Sequence, residues 1–127
     1  MIKATDVTWI VARKALENTY EGRATVTEHR KIEDKGTRLI SYKDVVVLED
    51  QPCKLSFSKI TSTDGNGKSV KVSQVTKLFI SPDVNIKPGS KIKVTQNGVT
   101  TDYTYSGIPA VYHTHQEFVL DIFGRWA

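Results

Sequence analysis

Three groupings in this sequence carry residue types that chemistry uses. His113 and His115 stand as His-x-His. On a strand, the period of two would put both imidazoles on one face, as a metal pair requires. A third ligand is missing, and the one cysteine, Cys53, is remote in sequence, so ordinary surface or loop histidines are expected. Cys53 and a histidine could make a nucleophile and its base, but nothing around Cys53 resembles a nucleophile motif. The run Asp64-Gly65-Asn66-Gly67-Lys68-Ser69 ends in Gly-Lys-Ser. It lacks the first glycine at the spacing of a phosphate-binding loop and has no strand-to-helix context. Carboxylates are numerous, with no pair that stands out as a tuned acid and base. The expectation is a chain with no catalytic site, no cofactor and no metal.

The elements available to position side chains are mostly strands. Residues 6–18 are the plausible helix: Asp6 can cap it, and Ala12, Lys14, Ala15, Leu16 and Glu17 favour it. The β-branched Val7, Thr8, Ile10 and Val11 oppose it. After Gly22 the pattern turns to period two, with Ala24, Val26, Glu28 and Arg30 alternating with Thr25, Thr27 and His29. Glu33-Asp34-Lys35-Gly36 reads as a polar turn. Residues 38–48 hold Val45-Val46-Val47-Leu48, a run expected to be buried, and Glu49-Asp50-Gln51-Pro52 is expected to break it. Next, Cys53, Leu55 and Phe57 point one way and Lys54, Ser56 and Ser58 the other, which places Cys53 in the core as a structural thiol. Residues 61–69 hold no large apolar side chain and read as a long, exposed, mobile hairpin loop. Residues 70–80 form another strand, whose parity shift between Val72 and Val75 suggests a bulge. Lys87-Pro88-Gly89-Ser90 has Pro and Gly placed for a turn.

The clearest local signal is Asn97-Gly98 between two alternating runs, 91–96 and 99–105. Asn-Gly supplies both positive φ angles of a two-residue type I′ turn. The turn predicts Gln96 opposite Val99, Val94 opposite Thr101 and Ile92 opposite Tyr103, with Lys93 facing Asp102 on the other side. Residues 115–123 form the last strand. Short antiparallel strands with turn signals every ten residues or so imply a mostly-β chain, a small barrel or sandwich with a short N-terminal helix.

The totals agree. A chain of 127 residues, 39% hydrophobic and 25% charged, suits one domain over 1–127 with a real core. A lone cysteine excludes a disulfide-built mini-domain. No apolar run is long enough to span a bilayer, and the opening residues do not read as a signal peptide. Synthesis in a cytosol is expected, with no membrane partner. The net charge of +4 is mild and scattered, unlike the patch of a dedicated nucleic-acid binder. A nucleic-acid-binding barrel of the oligonucleotide-binding kind is the alternative. It needs aromatics on a strand face beside Lys and Arg, and core packing explains Tyr103 and Tyr105 at least as well. Trp9 and Trp126 are large side chains in terminal segments. With Arg13, Arg125 and the loop residues Asp64, Gly65, Asn66, Gly67 and Lys68, they are candidate interface residues.

Several pieces together form a familiar set. They are residues 9–22 followed by Ala24-Thr25-Val26-Thr27-Glu28, then Asp50-Gln51-Pro52-Cys53-Lys54-Leu55-Ser56-Phe57. Lys77-Leu78-Phe79-Ile80-Ser81-Pro82-Asp83-Val84 and Ile86-Lys87-Pro88-Gly89-Ser90-Lys91-Ile92 follow, and Tyr103, Tyr112 and His115-Gln116-Glu117-Phe118 close the set. Over nearly its whole length the chain resembles the head–tail connector proteins (head-closure, stopper or minor capsid proteins) of long-tailed bacteriophages and prophages of Gram-positive bacteria. The resemblance implies a virion protein made in the bacterial host cytoplasm. It would form a homo-oligomeric ring, hexameric or dodecameric, between a portal-side adaptor and a tail terminator or tail completion protein. Such a ring closes the filled head, retains or passes the genomic DNA and presents a docking face to the tail.

Overall fold

Strand alternation dominates the chain. The computed structural model describes residues 4–63, 65, 67 and 70–126. Among these, one helix, α1 (Ala4–Glu17), precedes β1 (Gly22–Glu33), β2 (Ile40–Thr63), β3 (Val70–Ile80), β4 (Lys91–Gln96), β5 (Val99–Thr104), β6 (Ala110–Val111) and β7 (Gln116–Ile122). The strands pair in the order β3-β2-β1-β4-β5-β7-β6, and β3 also pairs with β7. The pairing path β3-β2-β1-β4-β5-β7 therefore closes on itself, and every pair in it is antiparallel. Closure removes the free edges along the paired segments, which is how small β proteins avoid unpaired backbone. β6 and β5 share one edge of β7 while β3 takes the other.

The interior is filled by alternate residues. Ala24, Val26, Cys53, Leu55, Leu78, Ile80, Ile92, Val94, Tyr103, Tyr105, Phe118 and Leu120 are buried together with Ile86. Ile86 comes from the long β3–β4 connection, which crosses the barrel and is pinned from inside. The Tyr105 hydroxyl donates to the Ile86 carbonyl. Gln116 Nε2 donates to the carbonyls of Ser81 at 2.8 Å and Val84 at 2.5 Å. The Tyr105 hydroxyl and the Gln116 amide thus meet backbone partners, without which each would cost about 1–3 kcal/mol.

β2 is far longer than an average strand of about 5–6 residues. The expected break at Glu49-Asp50-Gln51-Pro52 is absent, because one extra residue is absorbed there and a second at Val47 instead. β1 advances two residues from Ala24 to Val26 while β2 advances three, from Gln51 to Leu48. The next step is one residue on β1, to Thr27, and two on β2, to Val46. Asp50 takes a φ of 51° at this point, the left-handed conformation that a bulge exploits. Pro52 lies just before β3 begins to pair at Cys53, so β2 has a neighbour on one side only, where Pro is tolerated. The Val45–Leu48 run is not buried as expected: Val46 and Val47 are exposed, and only Leu48 packs on the core.

Both hairpins on β2 outrun the barrel. β4 covers β1 only from Arg23 to Thr27, so residues 28–33 pair with β2 alone. β1 ends opposite Cys53 and β7 covers β3 only from Thr76 to Ile80, so the outer part of the β2–β3 hairpin stands alone. Phe57, opposite Thr76 at the last rung that β7 covers and beyond the end of β1, is 52% exposed, although it shares the parity of Cys53 and Leu55. Thr61, Ser62 and Thr63 belong to this ladder rather than to a loop. No register shift occurs between Val72 and Val75; their parity changes because this part of the hairpin has no core to face. Gly65 and Gly67 lie in the turn, Gly67 with a φ of 67°. Asp64, Asn66, Lys68 and Ser69 lie outside the described residues.

Where β1 runs out, a side chain substitutes for it. Gln96 Oε1 accepts from the Leu55 N–H at 2.8 Å, and its Nε2 donates to the Leu55 carbonyl at 3.2 Å. Gly22 leaves the space: a Cβ there would lie 3.0 Å from the Cys53 carbonyl oxygen and 3.1 Å from Gln96 Oε1.

The helix begins at Ala4, so Asp6 lies inside it and not at its cap. Arg13 fastens it to the β3–β4 connection. Its Nη2 reaches Ser81 Oγ at 2.7 Å and Asp83 Oδ2 at 2.5 Å, and its Nε reaches Glu17 at 3.2 Å.

The β4–β5 register matches the expectation at every pair, including Ile92 with Tyr103 and Lys93 with Asp102. Asn97 and Gly98 have φ of 53° and 76°. The ion pair to Asp102 comes instead from Lys91, at 3.9 Å. Gly98→Val is expected to cost about 1–3 kcal/mol by forcing a β-branched residue into positive φ. Lys93→Ala is expected to cost well under about 1 kcal/mol. Urea titration compares the two, and equal effects would refute the turn's role in setting the register.

Candidate functional site

At the root of the β1–β2 hairpin, β4 leaves the edge of β1 and a cleft opens. Period two carries the inward face of β1 from Ala24 and Val26 to Glu28, the last inward residue before the barrel ends. Glu28 is 9% exposed. A carboxylate this buried requires cations. Arg30, two residues on and so on the same face, places Nε 3.0 Å from Glu28 Oε1, and Lys87 places Nζ 4.0 Å away. Lys87 comes from the turn before β4, where Gly89 has a φ of 83° and donates its N–H to the Tyr105 carbonyl at 2.9 Å.

The outer face of the same hairpin holds an aromatic stack. His29 pairs in register with Asp44 and its Nδ1 lies 2.7 Å from Asp44 Oδ1. Its ring stacks on Tyr42 at 4.9 Å and on Trp126 at 4.8 Å. Phe123 packs its edge against Trp126 at 4.9 Å, with Lys91 over the Phe123 ring at 5.5 Å. The tail after β7 therefore folds back onto the hairpin root. Together these groups line a cleft of about 430 Å³ between Glu28–Lys31, the Lys87–Ser90 turn and Trp126.

A second aromatic cluster joins the helix to the β6–β7 connection. Trp9 stacks on His113 at 4.5 Å, and Tyr112 stacks on His115 at 4.8 Å. Both His115 nitrogens are occupied, Nδ1 by Thr114 Oγ1 at 3.0 Å and Nε2 by Glu117 at 3.1 Å. The two histidines lie in a loop rather than on a strand, so period two does not align them. Among the described residues, no group of three or more His, Cys, Asp or Glu is placed to hold a metal. No helix among them is long and apolar enough to cross a membrane.

The candidate interface residues are scattered. Trp9 is 43% exposed and packs on its own chain through His113. Trp126 is half-buried and packs on His29. Arg13 is spent on Asp83, Ser81 and Glu17 rather than presented to a partner. Arg125 is exposed and forms no ion pair among the described residues. Gly65 and Gly67 are exposed at the far end of β2. Asp64, Asn66 and Lys68 lie outside the described residues. The basic cleft was not anticipated; the signal was Glu28 at an inward position of a strand, followed at period two by Arg30.

No protein-family model matches the chain, and no curated protein matches it. Among solved structures it is similar to protein xkdH of the phage-like element PBSX from Bacillus subtilis. Identity is 15%, the match covers 79% of this chain and 91% of that one, and the TM-score is 0.48.

Cys53 is fully buried, and burial pushes its thiol pKa up to about 12. The folded thiol stays neutral while the unfolded one, with its ordinary value near 9.0, ionises. The stability it contributes is therefore complete below pH 9 and falls as pH rises toward 12. A thiol reagent at pH 8 is expected to react with Cys53 only after denaturation; rapid native labelling would contradict its burial. Trp126→Ala is expected to cost about 1 kcal/mol through the lost ring contacts, less than the ~3–5 kcal/mol of a core Trp. Urea titration measures this, and a core-sized loss would show that the tail is integral to the barrel.

Proposed function

We propose that the protein is a structural component of a bacteriophage virion neck. Copies form a ring between a portal-side adaptor and the tail, close the DNA-filled head and offer the tail a docking face. In this reading the chain is not an enzyme. The carrying observation is the apolar surface on elements that outrun the barrel. Ile32, Leu39, Ile40 and Tyr42 on the first hairpin, and Phe57, Ile60, Val70 and Val72 on the second, are all exposed. So are Ile10 and Val11 on the helix. Scattered exposed apolar residues are ordinary, but concentration on two projecting ribbons and a helix marks surfaces that other subunits cover. A ring needs two different faces on each copy, and the two hairpins leave β2 in opposite senses. The head–tail connector resemblance of the sequence supports the same role.

The oligonucleotide-binding alternative loses its platform, since Tyr103 and Tyr105 are buried in the core. Mass photometry with negative-stain microscopy tests the proposal. Closed rings are expected, and Ile60→Lys is expected to deplete them while leaving the circular dichroism of the fold unchanged. A monomer at every concentration would refute the reading.

A further inference from the structure

We propose that the cleft at the root of the β1–β2 hairpin binds the phosphodiester backbone of duplex DNA. The cleft is a built arrangement of charge. Glu28 occupies one face of Arg30 through Nε at 3.0 Å. The terminal guanidinium nitrogens of Arg30 have no partner among the described residues. Lys87 Nζ is held only at the 4.0 Å limit, with 69% of its side chain exposed. Lys31 is exposed on the same edge. One carboxylate therefore orients Arg30 and faces Lys87 without cancelling the three cations that line the cleft. His29 adds no competing ligand, because Asp44 and the two stacked rings occupy it.

An oxyanion with a fork of guanidinium donors on one side and an ammonium on the other is the ligand this geometry suits. The lining sets Trp126 and Pro88 beside three cations and one carboxylate, an excess of positive charge that suits an anion. The aromatic stack is closed within the chain, so it offers no open platform for an unpaired base. Binding would be through phosphate alone, without sequence preference and strongly salt-dependent. Identifying the phosphate with DNA rests on the neck reading above. In a ring, one such cleft per copy would give many weak contacts that let DNA slide.

The test is fluorescence anisotropy of a labelled random-sequence duplex from about 50 to 200 mM salt. The wild-type protein is expected to bind at low salt. Lys87→Ala and Arg30→Gln are each expected to lower the slope of log affinity against log salt by about one. Lys93→Ala, an equal charge change on an exposed face away from the cleft, is expected to leave the slope unchanged. Lys87 is exposed, so Lys87→Ala keeps the test readable if Arg30→Gln disturbs Glu28 and the fold. Absence of wild-type binding, or an equal slope change in Lys93→Ala, would overturn the proposal. Mass photometry on the same samples separates the two claims. Rings without cleft-dependent binding refute the cleft alone, whereas cleft-dependent binding without rings supports the cleft and refutes the neck ring.

Discussion

The structure depends on the exchange of partners by β2 part-way along its length. A strand of 24 residues is paired on one side by β1 up to Cys53 and on the other by β3 from Cys53 onward. The two partners exchange at a single residue. At that crossing the paired amide of Gln96 supplies to Leu55 the donor and acceptor that the absent strand would have supplied, and Gly22 leaves it room where a Cβ would crowd the Cys53 carbonyl and the Gln96 amide. Buried backbone groups are almost always paired, so this carboxamide is the condition on which β2 can change partners inside a core. The barrel closure and the two projecting hairpins go with that handover.

The basic cleft and the aromatic stack have a common origin in the same geometry. β1 continues past the point where β4 leaves it, so one edge of residues 28–31 is open. Strand edges of this kind are protected by charge, and Arg30 and Lys31 supply it. The tail covers the outer face through Trp126. Electrostatics and packing thus converge at the hairpin root because the ladder ends there, and Glu28 is buried because it is the last residue the barrel still encloses.

Local chemistry made some of this legible in the sequence and long-range pairing hid the rest. Asn97-Gly98 dictates its own turn, and every predicted pair of β4 with β5 is present. Cys53 and Leu55 were assignable to the core from parity. Phe57 was not, because parity gives the side of a strand and not whether another strand lies across it. Asp50 and Pro52 read as a break, since the left-handed bulge that carries β2 through depends on its register with β1. Glu28 and Arg30 were visible as an alternating pair, but their cleft required Lys87 and Trp126, which are distant in sequence. The intrachain contacts of Trp126 with His29 and of Arg13 with Asp83 were hidden for the same reason.

The shared strand has a mechanical consequence. Because both hairpins are built on β2, a pull between their tips runs along one continuous covalent chain through the barrel. The load falls on the flanking hydrogen bonds in shear, so many must yield together rather than opening one by one. The bulges at Asp50 and Val47, with one surplus residue each, are the points of compliance on that line. A chain built this way can bear tension between its two hairpin tips while its barrel stays closed.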